Sequence, residues 1–151
     1  YDGADSGVTV SLATTRGQNT GGAGKDTLRS IENLSGSEYS DELTGNSGVN
    51  ILSGGAGDDT LRGGDETNER IDGLAGNDDI DGAGGEDILF GGDDDDTLTG
   101  GADNDRLVGG DGTDIAVFSG NRADYTISFA NGVFTIDGPD GSDTLESIES
   151  L

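Results

Sequence analysis

Residues 54–62 read GGAGDDTLR, and the same phase continues through GLAGNDDID (73–81), GAGGEDILF (82–90), GGDDDDTLT (91–99), GGADNDRLV (100–108) and GGDGTDIAV (109–117). It runs back to Gly36 through GSEYSDELT (36–44), GNSGVNILS (45–53) and one ten-residue row, GGDETNERID (63–72). Nine rows therefore occupy 36–117, and every row opens on Gly. The eighth place, the ninth in the long row, reads Leu43, Leu52, Leu61, Ile71, Ile80, Leu89, Leu98, Leu107 and Ala116. The sixth, with the same allowance, reads Asp41, Asn50, Asp59, Glu69, Asp78, Asp87, Asp96, Asp105 and Asp114.

Each row divides into two physical parts. Its last three residues alternate outward, inward, outward, the period of a short strand with one buried aliphatic. Its Gly-rich first six supply positive φ angles for a sharp turn and let backbones approach closely. A three-residue strand cannot stand alone, so rows must stack, two to a coil, with their strands in two facing parallel sheets. The acids keep one phase and the aliphatics another, which a solubilising linker has no reason to do.

The rest of the composition sets a problem for this stack. Against 32 acidic residues stand only 7 basic ones, a net charge of −25, and Leu, Ile, Val and Phe make up about a fifth of the 151 residues. Low hydrophobicity with high charge predicts a disordered chain, because burial does not offset backbone entropy. With no His and no Cys, a zinc cage of the usual ligands, a thiol nucleophile, a His-based triad and a disulfide framework are all excluded. The charge argues against nucleic acid and anionic lipid as partners, and no apolar run approaches the length of a membrane span. The chain starts at Tyr1 without Met and without a signal peptide, and is read as a piece of something longer.

The rows resemble the G-G-x-G-x-D-x-U-x nonapeptide of RTX (repeats-in-toxin) proteins, a calcium-binding parallel β-helix. GGAGDDTLR (54–62) meets every fixed place, and the rows together cover 82 of 151 residues. The resemblance implies an all-β, right-handed parallel β-roll over 36–117, with β-rich caps at 1–35 and 118–151. In that family each ion sits between turns two rows apart and takes sixth-place carboxylates and Gly-segment carbonyls. Carried over, this implies an odd ladder of Asp41, Asp59, Asp78, Asp96 and Asp114, and an even ladder of Asn50, Glu69, Asp87 and Asp105. The carbonyl positions are Gly55, Gly57, Gly76, Gly85, Gly92, Gly101, Gly110 and Gly112, with Asp94 and Asp103 standing where the fourth-place Gly belongs. About four to six Ca²⁺ ions would cancel roughly a third to a half of the net charge. Binding energy would then become folding energy.

Within that scheme the even ladder is expected to be the weaker. Asn50 carries no charge and Glu69 lies in the ten-residue row, so the Asp87/Asp105 pair should bind well and the Glu69 pairs poorly. Asp94 and Asp103 should require a strained φ.

Outside the rows, DTLRSIENL (26–34) returns as DTLESIESL (143–151), identical at seven of nine places and 117 residues away. This is read as one period of an array, the alternative being a local strand-capping phrase. Asn131-Gly132 predicts a hairpin within 124–137, with Tyr125, Phe129 and Phe134 as cap core. GGAGKDTLR (21–29) fits the nonapeptide out of phase, leaving Asp26 open as a ligand. The outward residues Ile88, Phe90 and Val108 form an apolar patch expected to dock a flanking segment. The odd face breaks its Thr residues with Asp79, Asp81 and Arg62, which disfavours ice binding.

No catalytic residue and no organic cofactor is assigned, because the period accounts for the acids that a two-carboxylate hydrolase would need. The expected function is a calcium-triggered folding module of a larger secreted bacterial protein. It would be disordered without Ca²⁺ and fold outside the cell, after the type I export that the resemblance implies. Its expected partners are calcium and the rest of its parent chain, including further RTX modules. The alternative is a non-catalytic polysaccharide-binding or adhesin spacer module, with anionic polysaccharide as the partner.

Overall fold

The alternating end of each row becomes a strand, and those strands stack in two parallel sheets. The computed structural model describes residues 1–65 and 68–151. It contains β1 (Thr9–Ser11), β2 (Gln18–Asn19), β3 (Lys25–Asp26), β4 (Asn33–Ser35), β5 (Glu42–Thr44), β6 (Ile51–Ala56), β7 (Thr60–Arg62) and β8 (Arg70–Ala75). These are followed by β9 (Asp79–Gly84), β10 (Ile88–Asp93), β11 (Thr97–Ala102), β12 (Arg106–Asp111), β13 (Ile115–Ala116), β14 (Thr126–Ala130), β15 (Val133–Asp137) and β16 (Ser142–Glu146).

One sheet runs β1-β5-β7-β9-β11-β13 and carries the odd rows; the other runs β4-β6-β8-β10-β12-β16-β15-β14 and carries the even rows. Together they form an all-β solenoid of about five turns, consistent with a β-roll. Row pairs such as Leu43↔Leu61 and Leu89↔Leu107 pair in register, and the single-residue insertion is absorbed between Leu52 and Ile71 without a slip. Several strands are twice the expected length. Pairing continues into the next turn, through Gly92↔Gly110 and Asp93↔Asp111, because stacked turns of equal shape keep their backbones parallel.

The core is a two-column spine. Leu43, Leu61, Ile80, Leu98 and Ala116 line one sheet, and Leu52, Ile71, Leu89 and Leu107 line the other; all but Ala116, at 1%, are fully buried. The flanks lengthen both columns. Val10 pairs with Leu43, Leu34 with Leu52 and Leu145 with Leu107. A narrow spine of one aliphatic per row leaves side chains at about 1.5–3 kcal/mol each as the main apolar gain.

Two glycine columns have two causes. In the rows that open at 54, 73, 82, 91, 100 and 109, the second and fourth places have positive φ, for instance Gly92 at 129° and Gly112 at 152°. Asp94 (77°) and Asp103 (80°) take the same left-handed backbone, as their departure from the pattern predicts, and Leu74 (86°) and Ala83 (78°) share it at the second place. First-place glycines do not have positive φ; they are needed for room, as shown below.

The C-terminal flank holds the predicted hairpin. β14 and β15 are antiparallel around Asn131 (φ 55°) and Gly132 (φ 87°). Tyr125 joins the core, and Phe134 is partly buried. Phe129 does not: it is 62% exposed and leans on Phe134 at a centroid separation of 4.6 Å. The apolar patch is also covered differently from expectation. Phe90 lies under the Arg70 guanidinium, 4.3 Å from its centroid, with that of Arg106 at 5.8 Å, while the flanking strand β16 aligns beside Val108.

A non-Gly residue in left-handed backbone costs about 1–2 kcal/mol. Leu74 is half exposed, so little burial is lost with its side chain. Leu74→Gly is therefore expected to stabilise the calcium-loaded chain by about 1 kcal/mol in chemical denaturation. A destabilisation of that size would contradict this account of the turn.

Candidate metal centre

The site repeats along the roll. Each sixth-place acid points inward at the end of its turn and spans to the turn two rows earlier. In the odd ladder the amide of Asp41 donates to Asp59 Oδ1 (2.7 Å), Asp59 to Asp78 (2.8 Å), Asp78 to Asp96 (2.8 Å) and Asp96 to Asp114 (2.9 Å). In the even ladder Glu69 N donates to Asp87 Oδ1 (2.7 Å) and Asp87 N to Asp105 Oδ1 (2.8 Å). All of these acids are buried.

One oxygen of each bridge is thus engaged. The other is not: Oδ2 of Asp59, Asp78, Asp87, Asp96, Asp105 and Asp114 is buried without a hydrogen-bond partner. An unpaired buried carboxylate oxygen costs far more than a hydrogen bond returns, unless a cation meets it. The first-place Gly explains where that oxygen goes. A Cβ on Gly54, Gly73 or Gly91 would collide with Oδ2 of Asp59, Asp78 or Asp96. It would also lie 2.8, 2.6 or 2.8 Å from the carbonyl oxygen of Gly73, Gly91 or Gly109. Only a row that opens on Gly can hold the carboxylate there.

The first two rows differ. Asp41 Oδ2 accepts from Ser37 N (2.5 Å) and its Oδ1 from Val8 N (2.6 Å) and Ser37 Oγ (2.9 Å), while Asn50 Oδ1 accepts from Asn46 N (2.7 Å). Ser37 and Asn46 occupy the second place without positive φ, so their amides turn toward the side chain and satisfy it. In the six rows whose second residue is left-handed, the corresponding Oδ2 has no such donor among the described residues. Asp41 and Asn50 stand in the ladders, but with protein donors already in hand. The Glu69 row includes residues 66 and 67, which lie outside the described residues, so the expected distortion of its turn does too.

The ten carbonyl positions implied by resemblance all fall on the corners of these turns. Gly55, Gly92, Gly101 and Gly110 hold the second place; Gly57, Gly76, Gly85, Asp94, Asp103 and Gly112 hold the fourth, all with positive φ. Asp26 lies off both ladders, in the antiparallel β2–β3 pair, where its Oδ2 accepts from Thr20 Oγ1 (2.9 Å).

Two members of the ladders escape the tandem reading. Asp105 N donates to Asp143 Oδ1 (2.8 Å), and Asp114 N to Glu149 Oε2 (2.9 Å). Asp143 belongs to GPDGSDTLE (138–146), a tenth row with Gly at the first and fourth places, Asp at the sixth and Leu at the eighth. The intervening hairpin hides it from a search for consecutive rows. A second, exposed ladder uses the fifth place in the opposite direction. Asn77 N donates to Asp58 Oδ1 (3.0 Å), Asp95 N to Asn77 Oδ1 (3.0 Å) and Thr113 N to Asp95 Oδ1 (2.8 Å).

Electrostatics agree with the geometry. Burial, reinforced by neighbouring carboxylates (of the same ladder for all but Asp143, where they are Asp140 and Asp137), pushes Asp87 up to about 8, Asp78 and Asp96 to about 7, and Asp59, Asp105 and Asp143 to about 6. Asp114 is raised as well. The donor set contains only oxygens, from carboxylates and turn carbonyls, which suits a hard cation such as calcium. Among the described residues no three acidic side chains converge, so carbonyls must complete any coordination shell.

Stacked turns, most of which bury a half-satisfied carboxylate, define a β-roll with oxygen-lined corners. The model of the RTX calcium-binding nonapeptide repeat, four copies long, matches residues 35–68, 63–98 and 82–116. The chain belongs to the RTX calcium-binding nonapeptide-repeat family. No curated protein matches the chain.

Raised carboxylate pKa values mean that the metal-free fold holds protons more tightly than the unfolded chain, whose acids titrate near 3.8. Their stability contribution is intact below that value and is lost as pH rises toward about 8. In excess chelator, far-ultraviolet circular dichroism should therefore show more β-structure at pH 4.5 than at pH 8. The reverse order would rule out the ladder as the metal-free liability.

Proposed function

We propose that this chain is a calcium-triggered folding module of a larger secreted RTX protein. The carrying observation is that six buried aspartates (Asp59, Asp78, Asp87, Asp96, Asp105 and Asp114) have a second oxygen without a hydrogen-bond partner among the described residues. Without a cation these charges oppose folding; with one, each ion ties a turn to the turn two rows on and the spine of aliphatics closes over it. RTX repeats are typical of extracellular proteins and of non-catalytic modules, and we read this chain as non-catalytic. Extracellular calcium modules commonly bind at about 10⁻⁴–10⁻³ M, which keeps such a chain unfolded at cytosolic calcium and fit for export by a type I route. Among the described residues no helix is long and apolar enough to cross a membrane.

The strongest sites lie between two turns that both carry the double left-handed corner. These are the intervals Asp59/Asp78, Asp78/Asp96 and Asp96/Asp114 on one side of the roll, and Asp87/Asp105 on the other. Asp105/Asp143 adds an interval closed by the tenth row. Asp41 and Asn50 contribute least, because Ser37 and Asn46 already serve their oxygens. Residues 36–117 form the roll in this reading, and 1–35 and 118–151 its end units.

Circular dichroism during calcium titration, with magnesium as control, tests the switch. Unstructured chain in chelator, cooperative β-structure with calcium and none with equal magnesium are expected; a chain already folded in chelator at neutral pH would overturn the proposal. The ranking has its own test in the same titration. Asp78→Asn should raise the calcium midpoint about tenfold, the effect of losing about 1.4 kcal/mol, whereas Asp41→Asn should move it less than about twofold. Equal shifts would remove the distinction between cation-served and protein-served carboxylates.

A further inference from the structure

The sequence repeat at the two ends extends further than its shared nonapeptide. With the same offset of 117, residues 7–34 align with 124–151 at twelve identities, including Thr9/Thr126, Ser11/Ser128, Gly21/Gly138 and Gly24/Gly141. The backbone agrees at two corners, Ser30 (φ 53°) with Ser147 (φ 50°) and Gly24 (φ 93°) with Gly141 (φ 149°), while the middle of the unit differs: β14 pairs with β15, and its counterpart β1 pairs with β5. The chain therefore carries one 28-residue unit twice, once before the roll and once after it.

The two copies dock on the roll through opposite edges. The first copy faces forward: β1 pairs with β5 in one sheet and β4 with β6 in the other. The second faces backward: β16 pairs with β12, and Ser150 bridges to Ile115. Each copy leaves open the edges that the other uses. Among the described residues β14, the counterpart of β1, ends its sheet, and β3, the counterpart of the start of β16, is paired only with β2.

Burial follows the same division. Leu12 and Leu34, which face forward, are 7% and 6% exposed, but their counterparts Phe129 and Leu151 are 62% and 56% exposed. Asp143 and Leu145, which face backward, are fully buried, whereas their counterparts Asp26 and Leu28 are only partly so. An exposed Phe129 at the place where the same unit elsewhere buries Leu12 points to a neighbour on that face, and the buried copy shows its form.

We infer that the 28-residue unit is a two-faced coupler, and that the open face of 124–151, marked by Phe129 and the edge of β14, is the seat for the first turns of another roll of this kind. Strand directions permit it. β14 is antiparallel to β15, which is antiparallel to β16, so β14 runs with the roll strands and offers the parallel edge that β1 offers to β5. The coupler also exchanges the sheets. Ser150 takes the odd sheet from behind, while Asn33, its counterpart, hands on to the even sheet ahead. Successive rolls would form one continuous solenoid with no flexible joint between them. The inference rests on the proposed function only in drawing the neighbouring roll from the same longer protein.

The test is a tandem chain, residues 1–151 followed directly by 35–151, in which the central 124–151 serves both rolls. Phe129→Trp at the junction provides a unique reporter, since the chain has no Trp. In calcium, the single-roll chain with this substitution should show solvent-like emission. In the tandem, the emission should shift to the blue, and amide exchange across 126–130 should slow roughly tenfold or more. A tandem with a flexible Gly/Ser linker inserted after Leu151 should return to the single-roll values. Circular dichroism of the tandem checks that both rolls have folded, and the calcium titration of the single chain separately checks the switch. Folded rolls with a solvent-like Trp and unprotected β14 amides would overturn the coupler, as would a second roll that fails to fold on that seat.

Discussion

The structure depends on a carboxylate that is half satisfied. From Asp59 onward, each ladder Asp of the rows accepts at one oxygen from the amide of a turn two rows earlier, and keeps the other inside the roll beside its own first Gly. The first bond welds neighbouring turns in register. The second oxygen makes that weld conditional, because a buried charge needs a counter-charge. The Gly column, the left-handed corners and the thin aliphatic spine all follow from placing that one group.

This constraint explains why an acidic chain with a small core nevertheless has a defined architecture. A single aliphatic per row cannot hold nine residues of backbone against their entropy, so the cations would act as a second core outside the first. The earliest rows show the alternative solution on the same scaffold. The Ser37 and Asn46 amides donate to the sixth-place side chains of their own turns, so that those oxygens are served by the protein. The change from one turn type to the other lies at two places of the row, the second and the fourth, both left-handed in the rows that open at 54, 73, 82, 91, 100 and 109 and neither in the first two.

Much of this is legible in the chain because a solenoid repeats one local decision. The phase of Leu52, Leu61 and Leu89 sets the facing sheets, and Asp59 through Asp114 set the ladders; each place has the same environment in every row, so its chemistry shows as a column. What escaped the column was of two kinds. Asp143 and Glu149 complete the ladders from beyond a hairpin, where spacing no longer carries phase. Asp41 matches its column in sequence but not in circumstance, since its oxygens are taken by Val8 and Ser37, one of them distant in the chain.

The amino-acid sequence by itself determined the period, the parallel stack, the oxygen-only donor set and the RTX resemblance, because these depend on residue types at fixed local intervals. Only the tertiary structure decided which carboxylates keep an unmet oxygen and which edges of the two end units are covered. Both depend on what lies across the roll, eighteen residues or a whole module away. Leu12 and Phe129 hold matching places in the two end units, but Leu12 is buried with its amide on Thr44 O of the turn ahead, while Phe129 leans on Phe134 and stays exposed.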